Sequence, residues 1–229
     1  MRQASRLHLP MISAIARAFL LVVLSASAGL LHAQTGQPEK SLNAQLLEFS
    51  KAGDEVRVRK VLDGGAVPDS RNRQGETALF MFAKRGNLEI VGLLLERGAN
   101  PNLANLEKVT PLMAAAAEGH AAVVRALLKA GGDPAMVDQI NKTALLYAAA
   151  NGHVDVLDVL LDTGIDVNAR YRHDLTALMW AAGYGRDAAV KRLLERGADP
   201  ALQDDRRKTA ADIARDNKHE ATAQLLTGK

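Results

Sequence analysis

Apolar and polar positions alternate along this chain in a short pattern that recurs, and the stretch Asp138–Arg170 shows it most plainly. Thr143 precedes a run that includes Ala148–Ala150 and is closed by Gly152. Val156, Leu157, Leu160 and Leu161 then fall on one face at helical spacing, before Gly164 and a polar turn through Asp166–Asn168. The pattern predicts two short helices and a connecting loop. A threonine opens the first helix much as an N-cap does. A glycine ends it, where a left-handed residue costs least without a Cβ. The second helix covers about Val154–Asp162. Small alanines in the first helix allow close approach of a neighbour, and no single pair of such helices could bury its apolar face alone.

The same skeleton returns every 33 residues. Thr77, Thr110, Thr143, Thr176 and Thr209 are in register, as are Gly53, Gly86, Gly119, Gly152 and Gly185, and Gly65, Gly98, Gly131, Gly164 and Gly197. A fixed period of this length marks a stacked-repeat solenoid. It divides the chain into units at 39–71, 72–104, 105–137, 138–170 and 171–203, and a truncated one at 204–229. The first unit has Ala44 where the others have threonine, and a polar outer face that includes Ser41, Lys51, Arg57 and Lys60. That is what a terminal capping repeat requires. The last unit, with Thr209–Ala214 and Gln224-Leu225-Leu226, reads as the opposite cap.

Two motifs carry a family resemblance: T-P-L-M-A-A-A-A-E-G-H at Thr110–His120, and V-V-R-A-L-L-K-A-G-G-D-P at Val123–Pro134. The unit resembles the ankyrin repeat, over about Glu39–Leu226. The resemblance implies an all-α repeat solenoid of helix-turn-helix units joined by β-hairpin-like fingers, about six units with two of them caps. Two departures stand out. The histidine of the family's T-P-L-H is replaced by Phe80, Met113, Leu146, Met179 and Asp212. In the family it helps fasten neighbouring fingers, so looser fingers or hydrophobic compensation is expected. The turn glycine survives only at Gly75, with Lys108, Asn141, Asp174 and Arg207 elsewhere. Lys and Arg are strained at positive φ, which predicts altered turns in the third and sixth fingers.

The first 33 residues follow a different logic. Arg2 and Arg6 precede the uncharged run Ala18–Leu31, and a polar linker, 34–38, follows. A basic start, an apolar middle and a small-residue exit read as a secretory signal peptide. Cleavage after Ala33 leaves the fuller apolar region, and cleavage after Ala28 is the alternative. The style is bacterial, so a periplasmic or secreted protein is expected. The alternative is an inner-membrane anchor, although the run is short of the ~20 residues that span a bilayer. A membrane is a partner only if this segment is retained.

Net charge is +3. Arg2, Arg6 and Arg17 account for it, because the first 33 residues hold no acid and the remaining 26 basic residues face 26 acidic ones. A neutral body lacks the electrostatic footprint of a nucleic-acid binder. There are no cysteines, which excludes disulfides, thiol nucleophiles and Cys-based zinc sites. His120, His153 and His219 occupy one repeat position, about one helix-packing distance of ~8–10 Å apart per unit, too far to share a zinc ion. No phosphate-loop, zinc-protease or serine-hydrolase motif is present. No catalytic residue, metal or cofactor is therefore assigned, and the chain is expected not to be an enzyme; a site in the concave groove is the competing reading.

In ankyrin proteins partners are usually held by finger tips and the exposed side of the first helices. Carried over by position, the resemblance offers Arg73, Glu76, Leu106, Val109, Ile140, Lys142, Arg172 and His173 on the fingers, and Arg85 and Tyr184 at first-helix ends. Leu106, Val109, Ile140 and Leu175 are apolar where exposure is expected, which suggests a protein interface or finger-to-finger packing. Tyr184 and Trp180 add candidate aromatic anchors, with packing between helices as the alternative for Trp180. The expected partner is a protein, and the chain itself is expected to be a monomer.

Overall fold

The structure is a computed structural model and describes residues 40–228. The expected signal segment and linker lie outside the described residues. Twelve α-helices follow in six pairs: α1 (Leu42–Ala52) and α2 (Glu55–Asp63), α3 (Ala78–Arg85) and α4 (Leu88–Glu96), α5 (Pro111–Ala117) and α6 (Ala121–Lys129), α7 (Ala144–Asn151) and α8 (Val154–Leu161), α9 (Ala177–Gly183) and α10 (Asp187–Glu195), and α11 (Ala210–Asp216) and α12 (Glu220–Thr227). The described residues contain no strand.

Each threonine acts as its position predicts. The hydroxyls of Thr77, Thr110, Thr143, Thr176 and Thr209 accept from the backbone N–H three residues on, satisfying a donor the helix leaves free. All but Thr209 are buried. In the first unit Ser41 takes this role three residues before the Ala44 position, and its Oγ accepts from Ala44 N at 3.3 Å. The helix consequently gains a turn, 11 residues in α1 against 8 in α3.

Each first helix packs on the first helix of the next unit, and from the second unit onward second helices pack on second helices. First helices are the closer neighbours because their contact faces are alanine: Ala83, Ala115, Ala116, Ala148, Ala149, Ala181 and Ala182 are almost wholly buried. Unequal spacing of the two layers curves the stack, with the first helices and fingers on the inner side. Leucine and valine from the second helices complete one continuous core, including Val91, Leu94, Val124, Leu127, Leu157, Leu160, Val190 and Leu193.

A second ladder joins the units through polar groups. The carbonyls that end a first helix lack intrahelical donors, and at four of the five joints a side chain from the next unit supplies one. Arg85 donates to Ser50 O and Lys51 O, at 2.9 and 2.6 Å. His120 Nε2 is hydrogen-bonded to Lys84 O at 3.1 Å and His153 Nε2 to Ala117 O at 2.9 Å. Arg186 Nε donates to Ala150 O at 3.0 Å. The histidine series is thus framework. Glycine completes the joint: Gly86 has φ 74°, and a Cβ on it would lie 2.4 Å from Nδ1 of His120.

The finger turns correct one expectation. Lys108, Asn141 and Arg207 all adopt the left-handed conformation of Gly75, with φ of 60, 63 and 62° against 77°. The third and sixth fingers therefore keep the standard turn. What holds it is the residue that opens the turn. Asn105 Oδ1 accepts from the N–H groups of Glu107 and Val109 at 3.0 and 2.9 Å, and Asp204 Oδ1 from those of Arg206 and Lys208 at 2.9 Å each. Asn72 and Asp138 do the same in the second and fourth fingers. These charge-assisted or amide bonds outweigh the left-handed strain on a side chain. The altered finger is the fifth. Tyr171 stands where the others have Asn or Asp, and the turn tightens into a 3-10 segment with both His173 and Asp174 at positive φ.

Neighbouring fingers are tied by backbone bonds from Leu106 N to Gln74 O, Gln139 N to Glu107 O and Asp205 N to His173 O, at 2.9, 3.1 and 3.1 Å. The lost family histidine is compensated by burial: Phe80, Met113, Leu146 and Met179 are at most 5% exposed. Asp212 instead forms a capping box with Thr209.

Candidate partner-binding groove

The inner side of the curve is lined by finger residues and by the first-helix positions that face away from the second helices. Of the expected apolar contacts, Leu106 and Ile140 are open to solvent, at 65 and 53% exposure, and Tyr184 at 49%. Val109 and Leu175 are not. Both are half-buried and pack against the core, because the turn carries them towards the helix layer. The exposed apolar tips are therefore two, on adjacent fingers.

The charged candidates divide by what already engages them. Arg73 and Arg172 are exposed and make no ion pair among the described residues. Glu76 is half-buried and accepts from Asn72 Nδ2 at 2.8 Å. Arg85 is spent on the joint with the first unit, and its guanidinium also lies 5.9 Å from the Phe82 ring centroid. His173 Nδ1 is hydrogen-bonded to Asp205 Oδ2 on the next finger at 2.8 Å, with both side chains about half exposed.

An aromatic cluster gathers around Lys142 on the fourth and fifth units. The Lys142 ammonium lies 4.4 Å from the centroid of Trp180 and 5.4 Å from that of Tyr147, a cation–π arrangement. Trp180 and Tyr184, one helical turn apart in sequence, lie nearly parallel with centroids 6.0 Å apart. Tyr147 donates its hydroxyl to Asp138 Oδ2 at 2.6 Å. Burial first, then that carboxylate, push the phenol far above its ordinary value, so it stays neutral. Trp180 is half-buried, so its packing and an aromatic surface coexist in one residue. The spacing that places Lys142 beside both rings is legible only once adjacent units are stacked.

Beside Trp180 lies a cleft of about 320 Å³, bounded by Leu175, Met179, Trp180, Gly183 and Tyr184 of the fifth unit and Arg206, Ile213 and Asn217 of the sixth. Sequence reasoning passed over Gly183, Arg206, Ile213 and Asn217. Of these, Gly183 carried a signal as a departure from the repeat, standing where other units have Lys84, Ala117, Ala150 and Asp216. Arg206 is oriented by Asp204, donating through Nε and Nη2 to Oδ2 at 2.9 and 2.7 Å. Burial pushes the Asp204 carboxyl up, but the Lys208 N–H and the Arg206 groups outweigh it and hold the carboxyl below its ordinary 3.8. Among the described residues no group of three or more His, Cys, Asp or Glu is placed to hold a metal ion.

The architecture defines a helical-repeat solenoid of stacked helix pairs. The model of ankyrin repeats (3 copies) matches residues 46–138, 93–171 and 130–204. The chain belongs to the ankyrin repeat family, whose repeats generally mediate protein–protein interaction and typically form non-catalytic modules. No curated protein matches it significantly.

Proposed function

We propose that this chain is a non-catalytic protein-binding module of the bacterial periplasm or exterior, holding a protein partner between its finger tips and the inner face of its first helices. The observation that carries this reading is apolar surface beyond what the scaffold needs. Leu106, Ile140 and Tyr184 are exposed on the groove side, whereas the inward apolar positions of the repeats are buried in the core or packed against it. Polar residues rim that surface, the usual composition of an interface. Fold alone does not name a partner.

The test is affinity capture by residues 34–229 from a periplasmic extract, beside a variant with Leu106, Ile140 and Tyr184 changed to serine. These three side chains are exposed, so the variant should retain the parent melting temperature. A partner held by the parent and lost by the variant is the expected result. Capture of nothing, or equal capture by both, argues against the groove. Export is read separately by mass spectrometry of the protein made in its host. A chain beginning at Gln34 or Gly29 fits cleavage, whereas one beginning at Met1 points to the membrane-anchored form.

A further inference from the structure

The cleft between the fifth and sixth units has a composition that the rest of the groove lacks. Gly183 opens it. The residue is helical, so no backbone conformation demands glycine there, and glycine in a helix costs ~1 kcal/mol relative to alanine. A Cβ at Gly183 would project towards Ile213 Cγ2 at 3.2 Å and Asn217 Nδ2 at 3.5 Å. Leu175, Met179, Trp180 and Ile213 give the cleft apolar walls. At about 320 Å³ it lies at the small end of ligand pockets, suited to one large side chain rather than a cofactor. A second hollow, lined by His173, Leu175, Asp205 and Arg206, adjoins it and shares Leu175 and Arg206. The two hollows lie side by side on the fifth and sixth units.

Cations outnumber carboxylates around these hollows, although half-exposed Asp205 lines the second one. The carboxylates are already engaged: Asp174 with Arg170, Asp204 with Arg206, Asp205 with His173, Asp212 with Arg215 and Asp216 with Lys208. Lys142, Arg172 and Arg207 have no carboxylate within ion-pair distance among the described residues. Lys142 sits against the Trp180 ring. Lys142 thus stands beside the cleft, and Arg172 and Arg207 are the chain neighbours of His173 and Arg206, which line the adjoining hollow.

We infer that this cleft is an anchor pocket for a large apolar or aromatic side chain on an extended, acidic peptide segment of the partner. The anchor enters beside Gly183, and carboxylates one or two residues away meet Lys142, Arg172 and Arg207. The inference rests on the protein-binding reading and narrows it to one end of the groove.

Its test is selection of a displayed random nonapeptide library on the immobilised chain from residue 34 onward, followed by titration of synthetic peptides from the enriched pool. Trp180 is the sole tryptophan of the sequence and lines the cleft, so its fluorescence reports occupancy directly. Enriched peptides should combine Leu, Met, Phe or Trp with Asp or Glu within two positions, and should shift Trp180 emission. Gly183→Met, which fills the cleft, should weaken them at least tenfold. Arg172→Glu with Arg207→Glu, which alters only exposed side chains, should weaken them about fivefold and remove most of the salt dependence. Selection of basic or uncharged peptides, no enrichment, an unchanged Trp180 signal, or equal binding to both variants overturns the inference. If the Leu106/Ile140/Tyr184 variant still loses a captured partner in that event, the protein-binding reading stands and only the anchor pocket falls.

Discussion

Ser50→Ala should stabilise the first unit. Ser50 is fully buried in α1, and its Oγ has no hydrogen-bond partner. The equivalent positions of the next four units are Ala83, Ala116, Ala149 and Ala182, all buried in the same alanine contact face. A serine hydroxyl left unpaired there carries its desolvation penalty, ~1–3 kcal/mol, without compensation. Alanine is also the better helix former, by up to ~0.7 kcal/mol. Nothing offsets these gains, because the contact Ser50 makes with Arg85 uses its carbonyl, which alanine keeps. Among the described residues the first unit has a neighbouring unit on one side only, so it opens before the middle of the array. Native-state hydrogen exchange therefore isolates the effect better than a global melt. A gain of ~1–3 kcal/mol corresponds to exchange slowed roughly 5- to 150-fold in α1 and α2, at about tenfold per 1.4 kcal/mol. Amides of α7 and α8 should be unchanged. Unchanged or faster exchange in α1 would refute the argument that the hydroxyl is unpaired.

Leu160→Ala removes a wholly buried side chain from α8 and should lower unfolding free energy by ~2–5 kcal/mol in urea titrations. Gly86→Ala should destabilise strongly, since its Cβ would sit 2.4 Å from His120 Nδ1 and its φ is 74°; adding His120→Ala should recover the steric part while leaving the left-handed penalty of ~1–2 kcal/mol. Asp204 has its folded pKa depressed, so its contribution to stability is full above the ordinary 3.8 and is lost as pH falls through the lower folded value. Asp204→Asn should keep the sixth finger turn, as Asn72 and Asn105 do in theirs, and flatten the acid limb of the stability–pH curve. Asp204→Ala should leave the Arg206 and Lys208 N–H groups unpaired and cost ~1–3 kcal/mol at neutral pH, read by thermal melts.

The family and the helix pairs were legible in the chain because a repeat states the same local rules five times. Threonine caps, glycine stops and apolar spacing act within one unit, and each element they predict is found. The finger turns show where that reasoning failed. It weighed the residue at positive φ, Lys108 or Arg207, and passed over the Asn or Asp three residues earlier whose side chain holds the turn. Tyr171, visible in the sequence as the one break in that series, marked the altered finger instead.

The candidate site was only partly legible. Exposure of Leu106, Ile140 and Tyr184 followed from their place on the scaffold, but half-burial of Val109 and Leu175 did not, since it depends on how closely each finger lies on the helix layer. Arg85 looked like a free cation and is a joint between units. Such pairings join residues 34 to 36 positions apart, so they exist only when one unit is stacked on the next. The cleft at Gly183 is likewise a property of two units together. Local chemistry in the sequence determined what each repeat is. The distance and angle between repeats, set by alanine faces and the polar joints, decided which side chains were consumed in holding the stack and which were left to meet a partner.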